Sequence, residues 1–487
     1  MVFLRRIYPV RIHNPMNEEF LTWLQHHDQR DAVLRKARTF LAIRTIPLPH
    51  PNEMTPLASP NTLVLHSTGL DAADAGRIRA YHQIINGWAD CGYHFLVANE
   101  NHPRLPAGSI ECGRDIRFQG AHARGHNSNS IGIAHIGPQR PQCDSLLLGL
   151  ETLVVALARK YAIPPERIIG HSELDPHKAD PHPSVLKHIR NRLATRLAKS
   201  SWEARHTWDA RRWLRQSPAT TERDWTKRLD QARLMGAHRI ALPAQWDTDL
   251  SATRAKLASL AAIAHREGFF LFAYTGPFGT ETQRTLNRLP HLREWLQIDG
   301  NGAPASYGGL PMFCPNSPYL PEYRNPIIGE LLGEIPFDGV FLDIPWFMRG
   351  ACHCRFCRDS PLPPSLAIRN AVARSVVTWR NAHPSIEIAA NIGSPGTPQH
   401  PAWCGVEADT FNGIADELVT ELTPALTPEA PVVIRDLVAR VATANPGIRI
   451  SHAFQPHKPG ASRLPTILSE AGCGLWHSRV DAWRPSA

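Results

Sequence analysis

At 487 residues, with a formal net charge of +9, the chain is too long for one ordinary core and predicts two domains with room for extensions. A hydrophobic content of 43%, a negative mean hydropathy and no long apolar run argue against a membrane span. Lys and Arg are dispersed, with no basic tract interleaved with aromatics, which argues against nucleic-acid binding and suits an acidic polymer instead.

The first residues, MVFLRRIYPVRIHNPMNEEF, lack the apolar stretch and cleavage site of a secretory signal, so the expected compartment is the cytoplasm. Nine cysteines, an odd and scattered set, fit a reducing compartment better than a disulfide framework. Up to about Arg44, Phe20, Leu21, Trp23, Leu24, Val33, Leu34 and Leu41 recur at helical spacing, and the Pro-rich IPLPHPNEMTPLASPN follows as a linker. Residues 1–60 are therefore read as a helical extension and linker.

The next stretch predicts strands at Thr62–Leu65, Tyr93–Val97 and Ser130–Ala134, with helices near Gly76–Trp88 and over Leu146–Tyr161. Alternation of this kind predicts an α/β layer domain over 61–198. The charged, Trp-rich stretch 199–224 is read as the junction. Beyond it, over 225–487, strands are expected at His238–Leu242, Phe269–Ala273, Gly339–Leu342, Ile386–Ala390, Gly405–Val406 and Ile448–Ile450, a series that suggests a (β/α)8-type barrel.

Hydrolysis of an amide needs an activated water, which zinc supplies when three protein ligands leave its fourth position open. His66 follows a strand in LVLHSTG, and the loop IIGHSELDPHKADPHP gathers His171, Asp175, His177, Asp180 and His182. With 25 histidines in the chain, spacing alone does not choose among them.

Across about Asn61–Val185, the blocks LVLHST, GYHFLV, ECGRDIRFQGAHARGHNSNSIGIAHIG and GHSELDPHKADP resemble the zinc amidase family that includes amidase-type phage lysozymes, bacterial anhydromuramyl amidases and peptidoglycan recognition proteins. The resemblance implies zinc ligands at His66, His171 and Asp180, with Asp175 the rival for the third place. It implies catalytic roles for Tyr93, which orients water or assists proton transfer, and for Lys178, a cation for the developing oxyanion. It also places His122 on the substrate groove. Asn127, Asn129 and Ser130 offer groups that bind sugar or peptide, and Arg114 offers a partner for a peptide carboxylate. Recognition proteins that do not cut typically lack the third ligand, so Asp180 favours an enzyme.

In the second half, FDGVFLDIPW followed by CHCRFCR resembles glycosidase barrels distantly related to α-L-fucosidases. That resemblance implies a nucleophile at Asp343, at the end of a strand, with Glu407 as acid/base and Asp409 as its rival. Tyr274, Trp346 and Trp403 are candidates for stacking on sugars. Cys314, Cys352, Cys354 and Cys357 form a candidate structural metal set, although C-x-C-x-x-C is not a standard finger spacing.

The expected fold class is α/β, an N-terminal mixed-sheet zinc amidase domain joined to a C-terminal (β/α)8-type barrel. The expected function is zinc-dependent hydrolysis of the amide between N-acetylmuramic acid and L-alanine in peptidoglycan or muropeptides, with the barrel binding or cleaving glycan. Two other readings stand beside it: a sensing protein without turnover, and a glycosidase anchored by the amidase domain. The oligomeric state is left unassigned.

Overall fold

The computed structural model describes residues 54–141, 143–198, 206–210, 214, 221–234, 236–244, 250–279, 283–307, 309–343, 352–358, 362–395, 405–421, 430–454 and 474–477. The helical extension read over the first residues, together with Trp346 and Trp403, lies outside them. No helix among the described residues is long and apolar enough to cross a membrane.

The N-terminal domain is built on a five-stranded sheet of order β3-β2-β4-β1-β5, from β1 (Thr62–Ser67), β2 (Phe95–Val97), β3 (Ile110–Cys112), β4 (Ser130–His135) and β5 (Ile168–Gly170). All pairings are parallel except β2 with β3, so the sheet is mixed, as expected. Both β1 and β4 are buried throughout, which explains why they read as continuous apolar runs rather than alternating ones. The first helix, α1 (Ala75–Ile84), starts where the Asp74 carboxylate accepts the Arg77 N–H at 2.7 Å.

Helix α2 (Asp144–Tyr161) packs Leu146, Leu150, Leu153, Val154 and Leu157 into the N-terminal core. Its other side is buried too. Leu148 joins the core of the C-terminal domain, and the Thr152 hydroxyl accepts from Arg380 of that domain at 3.1 Å. The helix ends where Ala162 turns left-handed at φ 52° before Ile163-Pro164. Short α3 (His171–Leu174) and then α4 (Pro183–Ala198) complete the domain.

The C-terminal domain is a ring of eight parallel strands, each hydrogen-bonded to the next until the circle closes. In chain order they are β6 (His206–Asp209), β7 (Ala237–Pro243), β8 (Phe270–Thr275), β11 (Gly339–Leu342), β12 (Glu387–Gly393), β13 (Glu417–Thr420), β14 (Arg449–Phe454) and β15 (Gly474–His477). A two-stranded hairpin of β9 (Ser306–Tyr307) and β10 (Leu310–Pro311) lies in the excursion between β8 and β11.

Helices α5 (Glu222–Leu234), α6 (Leu250–Arg266), α7 (Gln283–Arg288), α8 (Asn325–Glu334), α9 (Arg355–Arg358), α10 (Pro364–Ala382) and α11 (Ala430–Ala444) punctuate the series. A strict (β/α)8 repeat is not what the described residues present: between β12 and β13, residues 405–416 form turns and no helix. Three sequence expectations are corrected here. The junction 199–224 contains β6, because Trp208 is a core residue of the ring and not a linker aromatic. Gly405–Val406 is not a strand; ring strands not expected are β13, whose short apolar part, Leu418-Val419, lies between acidic residues, and β15.

The two-residue period of the strands sorts the ring interior into layers. Arg239, Glu387, Glu417 and Arg449 occupy one end, and Ala241, Phe272, Phe341, Ala389 and Val419 fill the middle. The same parity carries Tyr274, Asp343, Asn391 and Glu421 to the C-terminal rim. Near the other rim, the N-terminal domain packs against the barrel so closely that a Cβ on Gly413, at φ +75°, would strike the Gly108 carbonyl oxygen at 1.9 Å.

Candidate metal and catalytic site

Three side chains converge at the end of β1. His66 is its fifth residue, His171 opens α3, and Asp180 lies in the loop after α3. One ligand atom from each lies within 4.8 Å of the others. His171 is set by its helix start: the Glu173 carboxylate accepts the Gly170 N–H at 3.0 Å and is itself held by Arg190 at 2.8 Å. Asp180 is laid over both elements. Its carbonyl accepts the Ser172 N–H at 2.9 Å, and its carboxylate accepts the Ser67 N–H at 3.3 Å.

Asp175, the rival in the sequence, turns inward to its own loop and accepts the His177 N–H at 2.9 Å. It is not part of the convergent set.

The protonation states suit a cation. Burial lowers the His66 imidazole to about 4, so it is neutral near pH 7. Burial acts to raise Asp180, but its close contacts with the His171 and His66 imidazoles outweigh it and hold the carboxyl well below its usual range. His66 Nδ1 is buried and makes no hydrogen bond of acceptable geometry, although Asp180 Oδ2 is 3.3 Å away. A neutral imidazole nitrogen without a partner, a second imidazole and an ionised carboxylate form a donor set that fits a divalent metal such as zinc.

His122 stands behind this set and does not line a groove, which corrects the sequence expectation. It is buried, its Nδ1 is 3.1 Å from His66 Nε2, and its Nε2 is 3.5 Å from Ser130 Oγ. Ser130 gives its only hydroxyl proton to the His126 carbonyl, so towards His122 it accepts. His122 then carries its proton on Nε2, accepts from His66 Nε2–H on Nδ1, and leaves the His66 Nδ1 lone pair facing Asp180. Space for this ring depends on Gly132 and Gly120, where a Cβ would meet it at 2.4 and 2.3 Å.

Two other expected groove residues are also structural. The Arg114 guanidinium is buried and donates to the carbonyls of Cys91, Gln119 and Asp90, so it braces the backbone around it rather than standing open to a peptide carboxylate. Asn127 Oδ1 accepts the N–H groups of His122 and Ala123 at 3.0 Å, shaping the turn that holds His122.

Tyr93 does approach the set, its ring 5.1 Å from that of His66. Burial, and then the Asp180 charge, push its phenol well above the ordinary value, so it remains a proton donor. Lys178 is exposed on the same loop as Asp180, and its charge reaches His66. His82, which the sequence did not single out, packs its ring 5.4 Å from Tyr93 and accepts the Gly92 N–H at 2.9 Å, fixing the approach to Tyr93.

In the barrel, the expected pair is not assembled. Asp343 follows β11 at the C-terminal rim. Glu407 is exposed in a turn closed by Thr410, and the adjacent Ala408 carbonyl is bound by Asn445, which precedes β14 and so marks the opposite rim. Asp409 lies in the same turn as Glu407. The acid that accompanies Asp343 is Glu421, directly after β13: Asn391 Nδ2 donates to Asp343 at 2.9 Å and to Glu421 at 3.1 Å. The signal was present in ELVTE, where Glu421 has the inward parity of Glu417, but it was unreadable while the strand was missed.

Residues 56–183 match the family described as N-acetylmuramoyl-L-alanine amidase. The endolysin of Escherichia phage T7 is 35% identical over 91 residues, 17% of this chain and 55% of the endolysin. The human N-acetylmuramoyl-L-alanine amidase is 32% identical over 107 residues, 21% of this chain and 17% of the human protein. The chain thus spans about half the length of the T7 endolysin, and less of the human protein. Among solved structures, the N-acetylmuramoyl-L-alanine amidase LysC from Clostridium intestinale aligns at 24% identity with a TM-score of 0.26, covering 31% of this chain and 94% of that one.

Proposed function

We propose that the N-terminal domain is a zinc-dependent amidase that hydrolyses the bond between N-acetylmuramic acid and L-alanine in peptidoglycan or muropeptides. The observation that carries this reading is the convergence of His66, His171 and Asp180 within the matched residues 56–183. When bound there, zinc supplies Lewis acidity and an activated water.

The chain's own groups do the rest. His122 holds the His66 ring in the tautomer that presents Nδ1. Water adds to the lactyl carbonyl, the C–N bond breaks, and the alanine nitrogen takes up a proton. Tyr93, held protonated, orients the water or assists that transfer. Lys178 at the rim offers positive charge to the oxyanion that develops on the carbonyl. Retention of the carboxylate Asp180 in the donor set favours turnover over sensing alone.

The test is to incubate the zinc-loaded protein with muropeptides and follow products by mass spectrometry, with chelated and His66→Ala controls. Free stem peptide that disappears in both controls is the expected result; intact substrate with zinc bound would leave the sensing reading.

For the barrel, the second reading is a glycan-binding or glycan-cleaving domain. It is supported by two carboxylates, Asp343 and Glu421, sharing one amide donor at the strand ends. In this reading Glu421 replaces Glu407 as partner of Asp343.

A further inference from the structure

We propose that Cys314, Cys352, Cys354 and Cys357 form a second, structural zinc site on the C-terminal rim of the barrel. One sulfur from each lies within 4.8 Å of the others, and Cys314 Sγ is 3.3 Å from Cys357 Sγ. A tetrahedral zinc with Zn–S bonds of about 2.3 Å needs sulfurs roughly 3.8 Å apart, inside the span these four occupy. Three are buried and one half-buried, and all are free thiols in the structure.

The surroundings are those of thiolates. The Ile298 N–H points at Cys352 Sγ from 3.4 Å, and Asn316 Nδ2 at Cys357 Sγ from 3.4 Å. Donors of this kind orient metal-bound sulfurs and spread their charge. The backbone is shaped to match. The Cys354 carbonyl accepts the N–H groups of both Cys357 and Arg358 at 3.1 Å, a tight turn that folds C-x-x-C back on itself. His353 N–H binds the Ile298 carbonyl at 2.8 Å, which docks this turn onto the segment leading to Cys314. The ligands thus come from two stretches on either side of β11: the excursion before it, and residues 352–358.

Zinc is the ion for four thiolates with no open position. On binding, each thiol releases its proton to solvent as its Zn–S bond forms, and no oxidant is involved. The ion would cross-link the Cys352, Cys354 and Cys357 turn to Cys314 in the excursion before β11, holding the rim in shape. The ligand type and the full set of four distinguish this site from the His66 site, which has nitrogen and oxygen donors.

The test uses the full chain purified under reducing conditions. Elemental analysis is expected to give two zinc equivalents per chain, one lost in His66→Ala and the other in Cys352→Ser/Cys354→Ser. Should that double variant fail to fold, the His66→Ala protein still decides. Titration of His66→Ala with an organomercurial should release its remaining zinc in step with thiol modification, and cobalt substitution should give sulfur-to-metal charge-transfer absorption. A reduced His66→Ala protein with no metal overturns the proposal. So does mass mapping that finds these cysteines paired as disulfides, or iron in place of zinc.

Discussion

Arg196 of α4, fully buried, donates to the carboxylate of Asp416 at the foot of β13, and so the last helix of one domain is tied to the barrel of the other. The pair is part of a larger cluster. Arg196 also binds Glu151 at 3.0 Å, Arg380 binds Asp416 at 2.7 Å, and Arg159 reaches Glu387 at 2.9 Å. Removing one partner from such a set strands buried charges. Asp416→Ala should therefore cost about 3–5 kcal/mol, measured by denaturant unfolding, and the domains should then melt in separate steps. A single unshifted transition would show that the apolar contacts around Leu148 suffice.

The same cluster predicts acid lability. Burial acts to raise Glu151, but the His188 hydrogen bond and Arg196, Arg380 and Arg192 bring it down to about 2. Asp416 is likewise held well below its usual range by Arg196 and Arg380 against burial. Carboxyls depressed in the folded state stabilise fully above their unfolded values, near pH 4, and lose that contribution as pH falls towards 2. Unfolding free energy should fall steeply with acid below about pH 5. The slope should be shallower in Glu151→Gln; an equal slope would place acid sensitivity elsewhere.

His122 gives a prediction on metal affinity that is separate from folding. If its Nδ1 fixes the His66 tautomer, His122→Ala should weaken zinc binding roughly 10–100-fold, read by chelator competition. Circular dichroism should be unchanged. Gly132→Ala should do the same by displacing the ring. Unaltered affinity in both would leave His122 as packing alone.

The convergence of His66, His171 and Asp180 was legible because these residues sit in contiguous blocks, LVLHST and GHSELDPHKADP, that carry both strand and loop signals. What escaped was the use of polar side chains that look like ligand binders but serve the backbone. Arg114 and Asn127 have the right chemistry for a groove, yet carbonyls and amides of their own loops claim them. In the barrel, an apolar run marks the strand that Asp343 follows. Glu421 was missed because Glu417, an inward charge neutralised by Arg239, masks the strand as polar. Periodicity reads burial from apolarity, and a buried ion pair defeats it.

Tyr93→Phe isolates the phenol proton. Because burial keeps Tyr93 protonated, its role is that of a donor and the variant should show no new ionisation below pH 9 or so. Amide cleavage should fall about 100-fold in kcat, with zinc content retained. Loss of zinc alongside activity would instead make the tyrosine a packing partner of His66.

The rim of the barrel offers the sharpest separation of the two proposed activities. Asp343 and Glu421 share the Asn391 amide, near the rim opposite the one packed against the N-terminal domain, so changes there should not reach His66. Asp343→Asn and Glu421→Gln should each abolish sugar release from peptidoglycan fragments while leaving peptide release within twofold of wild type, a loss of several decades against an indifference of about 0.4 kcal/mol. Asn391→Ala frees the two carboxylates from their common donor and should weaken sugar release less than either acid variant, since it misplaces the pair without removing it. If sugar release is absent from the wild type, glycan affinity is the quantity to measure. An Asp343→Asn variant that binds glycan as tightly as the wild type would then remove Asp343 from any account of the barrel.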